Sequence, residues 1–214
     1  MKQSTLKIID NTVNTYPILD ENRNAVIDAV EILCESYKKG GKLLICGNGG
    51  SASDALHIVG ELMKDFCIQR PLGEDMKKKL SSVSENAEYI YSNLQVSLPA
   101  VALVGSAAIE TAYANDRAPD LCFAQQVMGL GNEGDVLLGI STSGNSKNII
   151  YALDVAKAKG LKTIGLTGKG GGKMANKCDL LIDAKKTETY QIQELHLPIY
   201  HAICLAVENE FFGE

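Results

Sequence analysis

Residues Asp135–Ser146 read DVLLGISTSGNS, and this stretch decides the fold that we predict for the chain. Val136–Ile140 is a short apolar run of the kind found in a buried strand. Hydroxyl side chains and a glycine follow at once, and then Ile149, Ile150 and Leu153 recur at helical spacing. A strand that leads directly into a helix predicts one βα unit of a parallel sheet.

The turn between this strand and helix has the composition of a phosphate-binding site. Its hydroxyl groups belong to Ser141, Thr142, Ser143 and Ser146. They come just before a helix, whose free backbone N–H groups and dipole attract an anion. The alternative is an ordinary βα turn in which Ser146 serves only as the N-cap of the helix. This stretch alone leaves both interpretations open.

A second strand, turn and helix repeat the same design. The strand is predicted at 42–46, and the turn after it reads Gly47-Asn48-Gly49-Gly50-Ser51. Neither turn has the lysine of a Walker loop or the glycine spacing of a dinucleotide-binding turn. Two such turns favour a phosphate compound smaller than a nucleotide, bound where the parallel strands end.

The remaining segments alternate in the order expected of an α/β protein. We predict further strands at 100–104, 136–140, 162–167 and 180–182, and helices at 51–66, 107–114, 120–130, 146–159 and 189–211. This alternation predicts a three-layer α/β/α sandwich around a parallel sheet of about five strands. No linker or repeat divides the chain, so we expect a single domain over residues 1–214.

Two segments stand outside this alternation. Residues 1–40 form a predicted helical extension, with one helix at 3–15 and another capped by Asp20, and its surplus apolar surface suggests a partner subunit. Residues 69–97 are predicted to be an insertion or lid with a helix near 85–94. Its lysines, Lys77 to Lys79, are interpreted as a solvated charge run.

Composition excludes several classes of function. The formal net charge is −5, and no basic stripe provides the electrostatic footprint of nucleic-acid binding. No apolar stretch approaches the length of a membrane span. The six cysteines are scattered, without a CxxC pair, and no signal peptide is recognisable. We therefore expect free thiols and a cytoplasmic protein.

The chain contains three histidines. His57 and Glu61 are four residues apart, so they stack on one side of their helix. Gln193 and His201 are eight residues apart on the last helix, about 80° around its axis, whereas His196 points away from His201. If the two pairs met, they would offer ligands that zinc accepts. The alternative is unrelated polar residues on two helix surfaces.

Together these motifs resemble the sugar isomerase (SIS) domain family. The resemblance rests on GNGGS at 47–51 with His57 and Glu61, Asn115-Asp116, ISTSGNS at 140–146, LTGKGGG at 166–172, and IQELH at 192–196 with His201. It covers nearly the whole chain from residue 20 onward and is greatest for members that isomerise heptose phosphates. The ISTSGNS turn and the paired His/Glu and Gln/His positions are its most specific parts.

The resemblance implies a role for each matching residue. The phosphate would lie against Ser141, Thr142, Ser143 and Ser146. The sugar would be lined by Asn48, Gly49, Gly50, Ser51, Glu61, Asn115, Asp116 and Gln193. Zinc would be held by His57, Glu61, Gln193 and His201. Glu61 and His201 would also be the catalytic acid/base pair.

The reaction that the resemblance implies is the conversion of sedoheptulose 7-phosphate to its aldose isomer through an enediol, in a homotetramer with pockets between subunits. The alternative is a non-catalytic SIS domain that senses a sugar phosphate or recruits a protein, as a replication-regulating relative does. That relative lacks the counterpart of His201, which this chain has. The long insertion at 75–95 and Tyr190, where the familiar Gram-negative enzymes have an acidic residue, leave the identity of the substrate open.

Overall fold

The sheet of the protein has five parallel strands in the order β2-β1-β3-β4-β5. A computed structural model describes all residues 1–214. The strands are β1 (Leu43–Gly47), β2 (Ala100–Ala102), β3 (Val136–Ser141), β4 (Lys162–Thr167) and β5 (Leu180–Asp183). The predicted fold class is confirmed, and β4 has the predicted bounds.

The chain has nine α-helices, six of which contribute to the core on the two faces of the sheet. The nine helices are α1 (Gln3–Thr15), α2 (Arg23–Lys38), α3 (Gly50–Met63), α4 (Glu74–Ser81), α5 (Ala87–Asn93), α6 (Ala107–Asp116), α7 (Cys122–Leu130), α8 (Lys147–Ala158) and α9 (Thr189–Phe212). The larger core cluster joins one sheet face to α1, α2, α3 and α9. The smaller cluster joins the opposite face to α7 and α8.

Strand β1 illustrates why the sheet is buried on both sides. Leu43 and Ile45 belong to the larger cluster, whereas Leu44 and Cys46 belong to the smaller one. Successive side chains of a strand point to opposite faces, so a strand covered on both faces is apolar throughout. This is why its sequence is a continuous apolar run.

The strand register places the two predicted turns side by side. Gly47, the last residue of β1, is in register with Ile140 of β3, and Ser141 is in register with Thr167 of β4. The turns after β1, β3 and β4 therefore leave the sheet at the same edge. At that edge α3 and α8 both begin, so their N-terminal amides face the same region.

The start of α2 differs from the predicted one, and part of α3 is more exposed than its apolar sequence suggests. Asp20 lies in a 3₁₀ segment, and α2 begins only after Asn22, whose side-chain amide donates to the Asp183 carbonyl (3.0 Å). Leu56 and Met63 on α3 are apolar, yet they are 53% and 44% exposed. The outer face of α3 is uncovered in the single chain, which explains their exposure.

The segment over 69–97 contains two helices, α4 and α5, where the sequence predicts one near 85–94. Of the residues in these helices only Ala87 is buried. The strongly polar sequence of α4 carries no apolar stripe, which is why its helix is not predicted. No helix of the chain has the length and apolar character needed to span a bilayer. All six cysteines are free thiols.

Candidate active site

We call residues 140–146 the hydroxyl turn. Ser141, at the end of β3, is buried, and its Oγ lies 3.0 Å from Ser146 Oγ. Ser146 occupies the N-cap position of α8, but its side chain makes no capping hydrogen bond. The ordinary-cap interpretation therefore does not describe what this hydroxyl does. The hydroxyl pair lies at the start of α8, where backbone amides and the helix dipole favour an anion.

Glycines allow the hydroxyl turn to rest directly on the loop after β4. Gly144 has a φ of +63°, and a Cβ there would overlap the Gly171 carbonyl. The Met174 N–H donates to the Gly144 carbonyl (3.0 Å), and the Gly168 N–H donates to the Thr142 carbonyl (2.9 Å). The turn is thus fixed by backbone bonds on both sides, and the glycine-rich loop at 168–172 is its support.

The turn after β1 is joined to the helix that follows the hydroxyl turn. The side-chain amides of Asn48 and Asn148 exchange two hydrogen bonds, of 3.1 and 2.8 Å. Gly49 has a φ of +57°, in the region that favours glycine, and it directly precedes α3. Ser51, in the first turn of α3, is buried. These contacts place residues 48–51 next to the start of α8.

Three predicted site residues meet between α3 and α9, and we call them the histidine cluster: His57, Glu61 and His201. His57 Nε2 lies 3.1 Å from Glu61 Oε1. The His201 ring stands edge-on to the His57 ring, with their centroids 5.0 Å apart. The Glu61 side chain is 14% exposed and the His57 side chain 43%. The fold therefore brings together two imidazoles and a carboxylate from two helices that are remote in sequence.

Gln193 lies on α9 but away from the histidine cluster. Its side-chain amide abuts Gly50, where an added Cβ would overlap it. Eight residues of helix separate Gln193 and His201 by about 12 Å along α9, although they are close in rotation around it. Within one chain Gln193 therefore lies beside the start of α3, two turns before His57.

Asn115 and Asp116 are not brought to the other site residues within the chain. They end α6, they are exposed, and the Asn115 side-chain amide donates to the Asp116 carboxylate (2.9 Å). Tyr190, in the first turn of α9, is 61% exposed. The structure shows no contact through which any of the three would act on the histidine cluster.

The electrostatics of the histidine cluster favour a neutral imidazole at His201. Burial and the neighbouring His57 lower the pKa of His201, and the Glu61 carboxylate partly opposes them. His201 Nε2 is buried without a hydrogen-bond partner. A neutral imidazole with an unpaired nitrogen beside a second imidazole and a carboxylate fits the donor chemistry of zinc. However, no three His, Cys, Asp or Glu side chains of the chain form a metal-binding group.

A buried ion pair that was not predicted from the sequence joins the two helices of the histidine cluster. Arg70 and Glu208 are 1% and 0% exposed, and Arg70 Nη2 lies 2.7 Å from Glu208 Oε1. Arg70 Nη1 donates to the Leu62 carbonyl at the end of α3 (2.7 Å). Glu208, on α9, accepts the Phe66 and Cys67 N–H groups, each at 2.8 Å. No sequence motif marks these two charges.

A second missed residue is Tyr200, the neighbour of His201. Its hydroxyl oxygen lies 2.9 Å from His57 Nδ1. In the sequence Tyr200 occupies one position of an apolar helix, and the residue that it contacts is 143 positions away. Only the packing of α9 against α3 reveals the contact.

The fold and the site define a class: an α/β sandwich whose paired helix N-termini suit a phosphate and whose partly buried histidine cluster suits proton transfer. Comparison with known proteins agrees with this class. Residues 12–91 and 90–168 match the family model described as the SIS domain. A solved phosphoheptose isomerase from Neisseria gonorrhoeae superposes with a TM-score of 0.71 at 33% identity, covering 96% of this chain and 94% of that one.

Curated relatives narrow the class further. A phosphoheptose isomerase from Aneurinibacillus thermoaerophilus is 43% identical over 210 residues, which span 98% of this chain and 91% of the relative. One from Nitratidesulfovibrio vulgaris is 41% identical over 191 residues, 89% of this chain and 80% of the relative. The chain therefore belongs to the phosphoheptose isomerases of the SIS domain family, and it is an isomerase.

Proposed function

We propose that the protein converts sedoheptulose 7-phosphate to D-glycero-D-manno-heptose 7-phosphate by proton transfer through an enediol. The observation that carries the proposal is the meeting of Glu61 and His201 between α3 and α9, in a chain similar to phosphoheptose isomerases over nearly its full length. Glu61, a carboxylate, takes a proton from C1 and, after exchange with solvent, delivers a proton to C2. His201 moves the proton between the oxygens at C2 and C1.

The phosphate is held at a distance from this chemistry. The hydroxyl turn offers the side chains of Ser141, Thr142, Ser143 and Ser146 at the start of α8. Binding of the phosphate there orients the sugar chain toward residues 48–51 and the histidine cluster. Hydrogen bonds to a charged group contribute about 1.5–3 kcal/mol each, so this end of the substrate supplies much of the affinity.

The metal that we propose for this site is zinc, with His57, Glu61, Gln193 and His201 as its ligands. When bound, zinc polarises the carbonyl group and stabilises the developing enediolate. The unpaired His201 Nε2 and the carboxylate of Glu61 support this assignment. Since Gln193 and His201 are about 12 Å apart along one helix, the full ligand set requires a second copy of the chain. The assembly that we propose, following the family resemblance, is a homotetramer with sites shared between subunits.

The same proposal places the enzyme in the cytoplasm. The support is the set of six free thiols and the metabolic role of the named relatives. A nucleic acid or a membrane has no part in the proposed function, which needs only the sugar phosphate and further copies of the chain. The two departures, Tyr190 and the insertion at 75–95, bear on the choice of sugar and leave the reaction class unchanged.

The experiment is incubation of the purified protein with sedoheptulose 7-phosphate, followed by NMR detection of the aldose. Sedoheptulose without phosphate is the substrate control, and His201→Ala is the protein control. We expect aldose from the phosphorylated sugar with the unaltered protein alone. Chelation should lower the rate, and added zinc should restore it. A protein that binds heptose and hexose phosphates but converts none of them would be a sensor rather than an enzyme.

A further inference from the structure

The last turn of α3, which carries Glu61, is held by a side chain from outside the helix. Glu61 lies two residues before α3 ends at Met63, and the last four carbonyls of a helix have no partner within it. Arg70 binds two carbonyls of this turn. Its Nη2 donates to the carbonyl of Glu61 itself (3.3 Å), and its Nη1 donates to the carbonyl of Leu62 (2.7 Å). One guanidinium group thus holds the main chain of the proposed catalytic carboxylate.

The carboxylate of Glu208 keeps Arg70 in this place. Its Oε1 accepts hydrogen bonds from Arg70 Nε (3.0 Å) and Nη2 (2.7 Å). The same carboxylate accepts the N–H groups of Phe66 and Cys67, which follow the end of α3. Both charged side chains are buried. Glu208 therefore ties Arg70 and the chain after α3 to α9.

The same helix α9 carries the other member of the proposed acid/base pair. His201 and Glu208 are seven residues apart on α9, which is about two turns, so they lie on the same face of that helix. One end of the ion pair therefore holds the turn that carries Glu61, and the other end belongs to the helix face that carries His201. Apolar side chains of similar volume are often as stabilising as a buried ion pair. They could not, however, bind the Glu61 carbonyl.

We propose that Arg70 and Glu208 are positioning residues, which fix the main chain of Glu61 relative to His201 through buried hydrogen bonds. A shift of about 1 Å in the position of a reacting group can cost about 10²-fold in rate, even when the substitution is remote from the chemistry. The inference rests on the proposed function for its effect on turnover. The anchoring of the last turn of α3 is a property of the protein alone.

Glu208→Gln tests the carboxylate by steady-state kinetics with the sugar phosphate. The amide has nearly the same volume and one acceptor oxygen, but its NH₂ group cannot accept a hydrogen bond. Arg70 then loses its counter-charge, and an N–H group after α3 loses its acceptor. We expect kcat to fall at least about tenfold, toward the loss that a 1 Å misplacement can cause. KM should stay unchanged, because the hydroxyl turn lies on other elements.

Asp135→Asn is the matched control. Asp135 is also a buried carboxylate, and it accepts two backbone N–H groups, from Lys42 and Asn132, and the Lys42 ammonium group. It directly precedes β3, at the opposite end of that strand from the hydroxyl turn. Both variants should lose stability in urea unfolding, but Asp135→Asn should keep its kcat. A similar fall of kcat in both variants, or no fall in Glu208→Gln, would overturn the inference.

Arg70→Lys separates the geometry of the guanidinium group from its charge, and it serves if Glu208→Gln does not fold. Lysine keeps a cation beside Glu208, but its single ammonium group lacks the planar fork that reaches the two carbonyls and the carboxylate together. We expect a folded protein with lowered kcat and unchanged KM. Full activity in Arg70→Lys, or a loss confined to KM, would contradict the positioning role.

Hydrogen exchange followed by NMR, on the protein without sugar, provides a readout that does not depend on turnover. We expect the amides of residues 61–67 to exchange faster in Glu208→Gln than in the unaltered protein, with no such change in Asp135→Asn. Unchanged exchange over 61–67 in Glu208→Gln would overturn the inference. If the unaltered protein shows no turnover, the proposed function fails, whereas the exchange rates still decide whether the ion pair anchors this turn.

Discussion

The hydroxyl turn and the histidine cluster differ in how complete they are within one chain. In the hydroxyl turn, Ser141 and Ser146 bond each other, and the backbone is held by the loop after β4. In and beside the histidine cluster, His201 Nε2 and Asp54 Oδ2 are buried without partners. The proposed binding side is thus built by local turn chemistry, whereas the proposed reactive side is built by tertiary packing and has buried polar atoms without partners.

The largest effects should separate the two sides by kinetics. Glu61→Gln and His201→Ala should each lower kcat by at least about 10²–10⁴-fold, since each removes one partner of the acid/base pair. KM should change little because the hydroxyl turn still holds the phosphate. Steady-state kinetics with sedoheptulose 7-phosphate provides both values. A rise in KM at constant kcat would make these residues binding groups instead.

Breaking the buried Arg70–Glu208 ion pair should destabilise the protein, because this pair joins α3 to α9 beside the histidine cluster. Arg70→Met leaves the Glu208 carboxylate buried without its cation, and loss of one partner of a buried pair destabilises by about 3–5 kcal/mol. Urea unfolding measures this loss. Lys177→Met is the matched control, because Lys177 pairs with Asp154 on the surface, where such pairs contribute about 0–1 kcal/mol. Equal losses in the two variants would contradict the role given to burial.

Substitutions in the hydroxyl turn should act in the opposite way from those in the histidine cluster. Ser141→Ala and Ser143→Ala each remove one donor to the phosphate, which should weaken binding by about 1.5–3 kcal/mol and raise KM accordingly. We expect kcat to fall much less. Ser92→Ala, at an exposed serine of α5 outside the proposed site, is the control. If neither serine variant changes KM, the segment is an ordinary βα turn.

His196 lies on α9, the helix that carries His201, and contacts the end of β4. Its titration should make the stability of the protein depend on pH. It is fully buried, and its Nε2 donates to the carbonyl of Thr167 at the end of β4 (3.2 Å). Burial lowers its pKa from 6.5 to about 4. The unfolded chain therefore binds the proton more readily between these values, so stability is full above pH 6.5 and falls as the pH drops toward 4.

Through this titration the free energy of unfolding should be roughly 2 kcal/mol lower at pH 5 than at neutral pH. Thermal unfolding across this range, compared between the unaltered protein and His196→Gln, measures it. The glutamine variant keeps a donor for Thr167 but cannot titrate, so its pH dependence should be flatter. Parallel curves for the two proteins would show that His196 contributes nothing to it.

Local patterns are enough to predict the sheet and the hydroxyl turn. Apolar runs predict β1 and β3, and the hydroxyls and glycine directly after β3 predict the turn. Each of these patterns lies in consecutive residues. The start of α2 is less predictable, because Asn22 is engaged by Asp183 rather than by the helix. The register of adjacent strands cannot be derived from either turn alone, yet it is what brings the turns together.

The histidine cluster is predictable only in part. The resemblance supplies His57, Glu61, Gln193 and His201, but only the packing of α9 against α3 shows that Gln193 abuts Gly50 while His201 lies against His57. The contacts of Tyr200 with His57 and of Arg70 with Glu208 join positions 143 and 138 residues apart. Such pairings depend on how helices pack, and neither spacing nor composition encodes them.

The central claim is that Glu61 and His201 transfer a proton between C1 and C2 of the sugar phosphate. Its most direct test is conversion of sedoheptulose 7-phosphate in D₂O, followed by NMR of the aldose product. An enediol returns a proton to C2 from a group that exchanges with solvent, so we expect deuterium at C2 of the product. Aldose that keeps only hydrogen at C2, or no aldose at all, would contradict the account.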